Sequence, residues 1–381
     1  MQKRAEPRSS TGKRIFLSPP YVGREERRSV MSAFDSGYIA PCGPQLDAFE
    51  KRLAKLSNRK YALAVSSGTA AIDLILEELG VGKGWTVVAP TMAFIATVGP
   101  AWHRGAKLAF VDSDATGNMD VLLLDEALAQ LKNASQPKHP KPNGANTRFL
   151  VIGVDIYGRC CDYDGLAAVC KKHGAEFIVD AAESVGARYK RKGSGSGGLA
   201  AIYSFNGNKV VTTSGGGAVV TDSKELADRI LKRSQQSREP VLHYEHREVG
   251  YNYRMSNVLA AIGLAQLGRL DEILEKRRRI ADWYATRYCD RMLPPPKGSN
   301  NWLNVMICES EPSRDALIRR LGDANIEARP VWKPMHLQPV FAKVRCFGGE
   351  VAETLFRLGV CLPSGTGLTA AELERIAEAI G

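Results

Sequence analysis

The chain has 381 residues, 44% of them hydrophobic and 24% charged, with a formal net charge of +11 at pH 7 and eight cysteines. Such a length and balance describe a soluble globular protein of two domains, or of one large domain with a smaller appendage, with room for a large core. No apolar run is long enough for a membrane span, the cysteines show neither a CxxC pair nor a metal-ligand spacing, so no metal site is expected, and they read as reduced thiols of a cytoplasmic protein.

Met1 to Arg14 is polar and basic with no apolar h-region, so 1–14 is expected to be a disordered leader rather than a secretory signal. Tyr61–Val65 reads as a strand, and Thr69–Leu79 as a helix with Ala70, Leu74 and Ile75 on one face. Strand-like runs follow at Thr86–Ala89 and Lys107–Val111. Asn133–Thr147, rich in proline and asparagine, is expected to be a surface loop. Further apolar runs lie at Arg148–Val154, Glu176–Asp180, Ala200–Ser204 and Ala218–Thr221. Strands alternating with helices predict an α/β fold with a mostly parallel sheet between helices. After Tyr253 the pattern changes. Ser256 suits the N-cap of one long helical stretch reaching about Arg291, which Pro294, Pro295 and Pro296 stop. A strand at Trp302–Ile307 and helices at Arg314–Leu321 and Ala370–Ala379 make a smaller α+β unit. The expected division is a large domain over 15–255 and a small C-terminal domain over 256–381, entered by the long helix.

The chemistry gathers in four short segments. Ser66-Ser67-Gly68-Thr69 follows a strand and opens a helix, where small residues and the positive helix end can close around an anion; an unliganded serine cap would look the same. Asp180-Ala181-Ala182-Glu183 puts an acid at the carboxyl end of a buried strand, the side on which open α/β sheets bind ligands. A carboxylate there needs a partner, which is either a ligand cation or a structural ion pair. Ser204 to Lys209 sets a lysine in a small-residue loop after a strand, where partial desolvation favours a nucleophilic amine; a lone lysine is otherwise a surface charge. Gly250-Tyr251-Asn252-Tyr253-Arg254 precedes the long helix.

In order, the motifs are AVSSGTAAI (64–72), VDAAESVG (179–186), YSFNGNK (203–209), TSGGGA (213–218) and YNYRMSN (251–257). Together they resemble the pyridoxal 5'-phosphate (PLP) enzymes of fold type I, and among them the nucleotide-sugar aminotransferases, over nearly the whole chain from about residue 15. SPPYVG (18–23), SGYIAPCGPQLDAFE (36–50), LHYEH (242–246), GYNYRMSNVLAAIG (250–263), EARPVWKPMH (327–336) and CLPSG (361–365) are similar to the branch that aminates UDP-4-keto-6-deoxy-N-acetylglucosamine in bacillosamine synthesis. The resemblance implies a PLP enzyme that takes its amino group from glutamate and gives it to a UDP-sugar. It implies that Lys209 carries the cofactor and that Asp180 keeps its pyridine nitrogen protonated. Phe94 would stack on the pyridine ring, and Gly68, Thr69 and Ser204 would bind the phosphate. Glu183 would lie near the cofactor's 3-oxygen, where many members of the family carry glutamine or histidine. Asn252 would reach the phosphate of the neighbouring subunit in a homodimer with shared sites. Arg329 and His336 would face the substrate, arginine being suited to a diphosphate.

Other readings remain open on the residues alone. The same chemistry serves 3-keto sugars and other nucleotide sugars. An inactive binding or regulatory protein on this fold would be expected to lack Lys209 or Asp180. The net charge attracts polyanions generally, yet no zinc finger, RNP motif or basic tail supports nucleic acid, and the densest basic run, Lys276–Arg279, sits in a helical pattern and reads as a solvated face.

Overall fold

The computed structural model describes residues 12–135 and 147–381. The expected leader lies outside the described residues up to position 11, and most of the expected loop at 133–147 does as well. Gly12 and Lys13 are tied down, their carbonyls accepting from Asn325 Nδ2 at 3.0 Å and Arg375 Nη1 at 2.9 Å.

Two helices, α1 (Arg24–Asp35) and α2 (Pro44–Ser57), precede an alternating run. It comprises β1 (Tyr61–Val65), α3 (Gly68–Glu78), β2 (Trp85–Pro90), α4 (Gly99–His103), β3 (Lys107–Val111), α5 (Val121–Ser135), β4 (Arg148–Val154), α6 (Tyr163–His173) and β5 (Glu176–Asp180). A short hairpin, β6 (Arg188–Tyr189) and β7 (Lys192–Gly193), leads to β8 (Ala200–Ser204), β9 (Gly217–Thr221) and α7 (Lys224–Ser234). The remainder holds α8 (Asn257–Gly268), α9 (Leu270–Tyr288), β10 (Asn304–Ile307), α10 (Glu311–Asp323), β11 (Arg329–Pro330), β12 (Arg345–Phe347), α11 (Glu350–Leu358), β13 (Gly359–Leu362) and α12 (Ala370–Ile380).

The main sheet has eight strands in the order β1-β9-β8-β5-β4-β2-β3-β12. It is parallel from β8 to β12, and β9 runs antiparallel to both its neighbours. Strands buried on both faces read as continuous apolar runs, and the pleat sends alternate side chains to opposite cores. In β4 and β5, Val151 and Val179 join Phe49, Leu124 and Leu166 on one face. Leu150, Ile152 and Ile178 join Leu74, Ile75 and Ile230 on the other. The second sheet, β10-β13-β11, is antiparallel and packs with α9, α10 and α12.

Two features differ from the sequence expectations. The long helical stretch breaks at Gly268–Arg269, where Arg269 leaves helical geometry (φ −109°, ψ 12°). Glycine is a weak helix former, and Arg269 there pairs with Glu26 of α1 at 3.0 Å. α8 can then pack on α1 and α2 while α9 turns to the second sheet. The other is β12, three residues too short to show a period, which extends the main sheet parallel to β3. Among the described residues no helix is long and apolar enough to cross a membrane, and no cluster of three or more His, Cys, Asp or Glu side chains could hold a metal ion.

Candidate active site

The carboxyl ends of β4 and β5 are in register, Val154 beside Asp180, while Asp180 lies beside Ile202 in the middle of β8. The loops leaving them meet the start of α3 around a cavity of about 240 Å3, lined by Ser67, Gly68, Thr69, Phe94, Asp180, Glu183, Ser204 and Lys209, with Trp302 and Trp332 from the C-terminal part.

One wall is the N-terminus of α3. Ser67 is extended and its Oγ accepts from Ala70 N at 3.0 Å. The N–H groups of Gly68 and Thr69 have no acceptor among the described residues, and the first N–H groups of any helix lack an internal partner. The wall is built tightly. A Cβ on Gly217 would lie 2.4 Å from the Ser67 carbonyl carbon and 2.5 Å from Gly68 N, and a Cβ on Gly68 would lie 3.1 Å from Ser204 Cβ. Glycine at both positions lets β9 and Ser204 lie against the helix start.

Opposite stand two buried carboxyls and an amine. Asp180, only 6% exposed, accepts from Thr97 Oγ1 at 2.7 Å and Ala182 N at 3.1 Å. Burial pushes its pKa above the ordinary range. Glu183 accepts from the Tyr157 N–H at 2.6 Å, which a left-handed backbone (φ 54°) aims at it, and lies 3.4 Å from Lys209 Nζ. Desolvation pushes Glu183 up to about 7, against the pull of Lys209 and the Tyr157 N–H. Lys209 rests on the Trp302 ring, its Nζ 4.0 Å from the centroid. Phe94 is half exposed at the cavity rim, its ring 5.4 Å from that of Trp332, and the Trp332 N–H donates to Tyr157 Oη at 2.9 Å.

This donor set fits PLP. The unpaired N–H groups and hydroxyls at a helix start suit a phosphate, a buried carboxyl suits a protonated pyridine nitrogen, and the amine suits the cofactor's aldehyde.

Glu183 yields a pH prediction. Its carboxyl titrates near 7 in the folded protein against an ordinary 4.5, so between these values the folded chain binds more protons than the unfolded one and stability falls as pH rises. At 1.36 kcal/mol per pKa unit the loss approaches about 3 kcal/mol. In cofactor-free protein, Glu183→Gln is therefore expected to gain stability over wild type as pH rises from 4.5 to 7. Urea unfolding at a series of pH values measures this, and parallel curves would refute it.

The other expected site residues lie apart. Arg329 is largely exposed and pairs with Glu327 at 2.9 Å. His336 Nδ1 meets Thr91 Oγ1 at 2.6 Å and its Nε2 meets Glu353 at 3.0 Å, which fastens the segment to the end of β2. Neither lines the cavity with Lys209. Asn252 is exposed and also outside its own chain's cavity. Sequence reasoning missed Thr97, Tyr157, Trp302 and Trp332. Trp332 stood within the EARPVWKPMH motif, whereas the others carried no local signal.

A model of the DegT/DnrJ/EryC1/StrS aminotransferase family matches residues 20–381. EpsN of Bacillus subtilis (strain 168), named as a pyridoxal phosphate-dependent aminotransferase, is 41% identical over 380 residues, covering 97% of this chain and 95% of that protein. GDP-perosamine synthase of Caulobacter vibrioides is 35% identical over 377 residues, 96% of this chain and 97% of its own. Among solved structures, a DegT DnrJ EryC1 StrS aminotransferase from Brucella abortus superposes with a TM-score of 0.84 at 27% identity, covering 93% and 94% of the two chains. The PLP form of Spr1654 from Streptococcus pneumoniae, named as a sugar aminotransferase, gives 0.85 at 26% identity over 97% and 98%.

Proposed function

This chain belongs to the DegT/DnrJ/EryC1/StrS aminotransferase family, and from that membership we propose that it moves an amino group from glutamate onto a UDP-linked 4-keto-6-deoxy-N-acetyl hexose, giving the 4-amino sugar. It is a PLP-dependent sugar aminotransferase; the donor, the nucleotide and the sugar are the proposal. The observation that carries the chemistry is Lys209 Nζ, 3.4 Å from Glu183, in one cavity with Asp180 and the open N-terminus of α3.

In this reading, PLP when bound supplies the electron sink that lets nitrogen pass from one carbon to another. Lys209 Nζ would hold the cofactor, and its amine would take up and return the proton that the transfer moves. Asp180 holds the proton on the pyridine nitrogen. The Gly68 and Thr69 N–H groups and the Ser204 hydroxyl hold the phosphate, and Phe94 covers the ring. Glu183, beside the lysine, accepts or returns the proton at Nζ. We divide the chain into a larger unit, 15–255, and a smaller one, 256–381, of which α8 packs on α1 and α2 and β12 joins the main sheet, and which brings Trp302 and Trp332 to the site. His336 serves here to fasten the segment bearing Trp332 to Thr91 and Glu353.

We also take the active unit to be a homodimer in which Asn252 completes the neighbour's phosphate site. What supports it is apolar surface beside the cavity. A second cavity of about 580 Å3 shares Ser66, Ser67 and Thr69 with the first, and its Ile95, Trp102 and Val340 are exposed. Leu242, Tyr244 and Val249, just before Asn252, project into solvent. Contiguous exposed apolar surface marks an interface, and a C2 pair is the simplest closed assembly. Mixing Lys209→Ala chains with Asn252→Ala chains should form heterodimers with one doubly defective and one intact site, so activity should rise above both parents. No recovery in proven heterodimers would mean that Asn252 acts within its own chain.

A GDP-linked 4-keto sugar is the second reading, favoured by the likeness to GDP-perosamine synthase. UDP- and GDP-linked 4-keto and 3-keto sugars, incubated with glutamate and read by product mass, decide between them. Conversion of the UDP-4-keto-6-deoxy-N-acetyl sugar is expected, and conversion of GDP- or 3-keto sugars alone would overturn the assignment.

A further inference from the structure

Arg277 lies midway along α9 and is 1% exposed. Its helix neighbours Lys276, Arg278 and Arg279 each reach a carboxylate, Glu272 or Glu275. Arg277 has none among the described residues. Its guanidinium donates to the carbonyls of Trp302 and Ser364, both at 3.0 Å, and to Ser18 Oγ at 3.3 Å, while its Nε has no partner. Burying a cation without a counter-charge is costly, and burial pulls its pKa down to about 9. An apolar side chain would fill the position without that penalty, so the charge requires a reason.

The reason lies in what its acceptors hold. Ser18 Oγ donates to the Asn208 carbonyl at 2.9 Å, and Trp302 Nε1 donates to the same oxygen at 2.7 Å. Asn208 is the residue before Lys209, and the Trp302 ring is the one on which the Lys209 amine rests. Both donors to the 208–209 peptide, and the surface under the amine, are therefore fastened to one guanidinium. The third acceptor, Ser364, receives Asn304 N and Nδ2 on its Oγ, both at 2.9 Å, which ties β10 into the same node. A charged donor strengthens the bonds relayed through a hydroxyl. A lysine in its place cannot span three acceptors with a planar fork.

We infer that Arg277 is a positioning residue for Lys209, setting the orientation of the Asn208–Lys209 peptide and of the Trp302 ring through Ser18 and Trp302. This rests on the reading of Lys209 as the cofactor's anchor. The geometry reaches the reaction only through Lys209, so the effect belongs in the rate of chemistry and in the cofactor's orientation, not in substrate affinity.

Arg277→Met and Arg277→Lys, made in the full chain and reconstituted with PLP, test this. Readouts are far-UV circular dichroism for the fold, circular dichroism in the visible cofactor band for orientation, and glutamate-driven bleaching of that band for rate. For folded variants the visible dichroism is expected to change by about half or more and the maximal bleaching rate to fall about 10- to 100-fold, the cost of misplacing a reacting group by around 1 Å, with the half-saturating glutamate concentration within about threefold. Ser18→Ala and Trp302→Phe each remove one donor to Asn208 and should shift the same readouts less, so they carry the test if Arg277 variants do not fold. Folded Arg277→Met with wild-type dichroism and rate would overturn the inference, as would unaltered Ser18→Ala and Trp302→Phe. Borohydride fixation read by peptide mass separates the two claims. Cofactor fixed to a lysine other than Lys209 in wild type sinks the anchor reading, whereas fixation at Lys209 with unaltered variants sinks only the role of Arg277.

Discussion

Lys209→Ala is expected to lower amino transfer by about 10^3-fold or more while the fold survives, because under the proposed mechanism the amine both anchors the cofactor and moves the proton. The fold should persist because Lys209 is held by a ring face and a single 3.4 Å contact rather than by a network. Its removal leaves Glu183 without its cation. Glu183 already titrates at about 7, so it takes up a proton rather than remaining as a buried unpaired charge. Turnover, the melting temperature and borohydride labelling check the three parts. Wild-type activity within tenfold, or labelling that persists in the variant, would remove Lys209 from its role.

Asp180→Asn should fold and bind cofactor, yet lose about 10^2-fold in rate, as when an electrostatic partner leaves a preorganised site. Thr97 Oγ1 bonds one carboxylate oxygen and Ala182 N the other, so the amide oxygen keeps only one of these bonds; with that oxygen on Ala182 N, the NH2 group faces Thr97 Oγ1, whose oxygen can accept instead. Neither arm of the amide can keep a proton on a pyridine nitrogen. The buried carboxylate is also unfavourable without that cation, since burial raises its pKa. The cofactor-free variant should therefore be at least as stable as wild type at neutral pH. A rate loss under threefold would make Asp180 a structural residue, and a large loss of cofactor-free stability would point the same way.

What the sequence determined by itself is the main sheet apart from its edge strand β12, and the short-range half of the site. β4 and β5 were legible because a strand buried on both faces must be an unbroken apolar run, and both faces are covered here by helices. The Ser67–Thr69 turn, Asp180–Glu183 and the loop to Lys209 were legible because each is a local device: a helix start, a strand end, a small-residue loop. The break at Gly268–Arg269 was not legible, since the apolar period runs on through it and only packing against α1 decides where the axis turns. The three-residue β12 had no period to read. Trp302 and Trp332 come to the cavity from far along the chain, and Arg277 stood in a basic run that looked like a solvated face. Burial separates Arg277 from Lys276, Arg278 and Arg279, and burial is a property of what packs over a helix. Arg329 and His336 drew attention for their chemistry; Arg329 pairs locally with Glu327, whereas the partners of His336, Thr91 and Glu353, are assigned by the tertiary fold. Local patterns settle which backbone a segment adopts, because hydrogen bonding and the side-chain period act within it. Which side chains share a buried space depends on contacts between segments distant in the chain, and those only the folded structure decides.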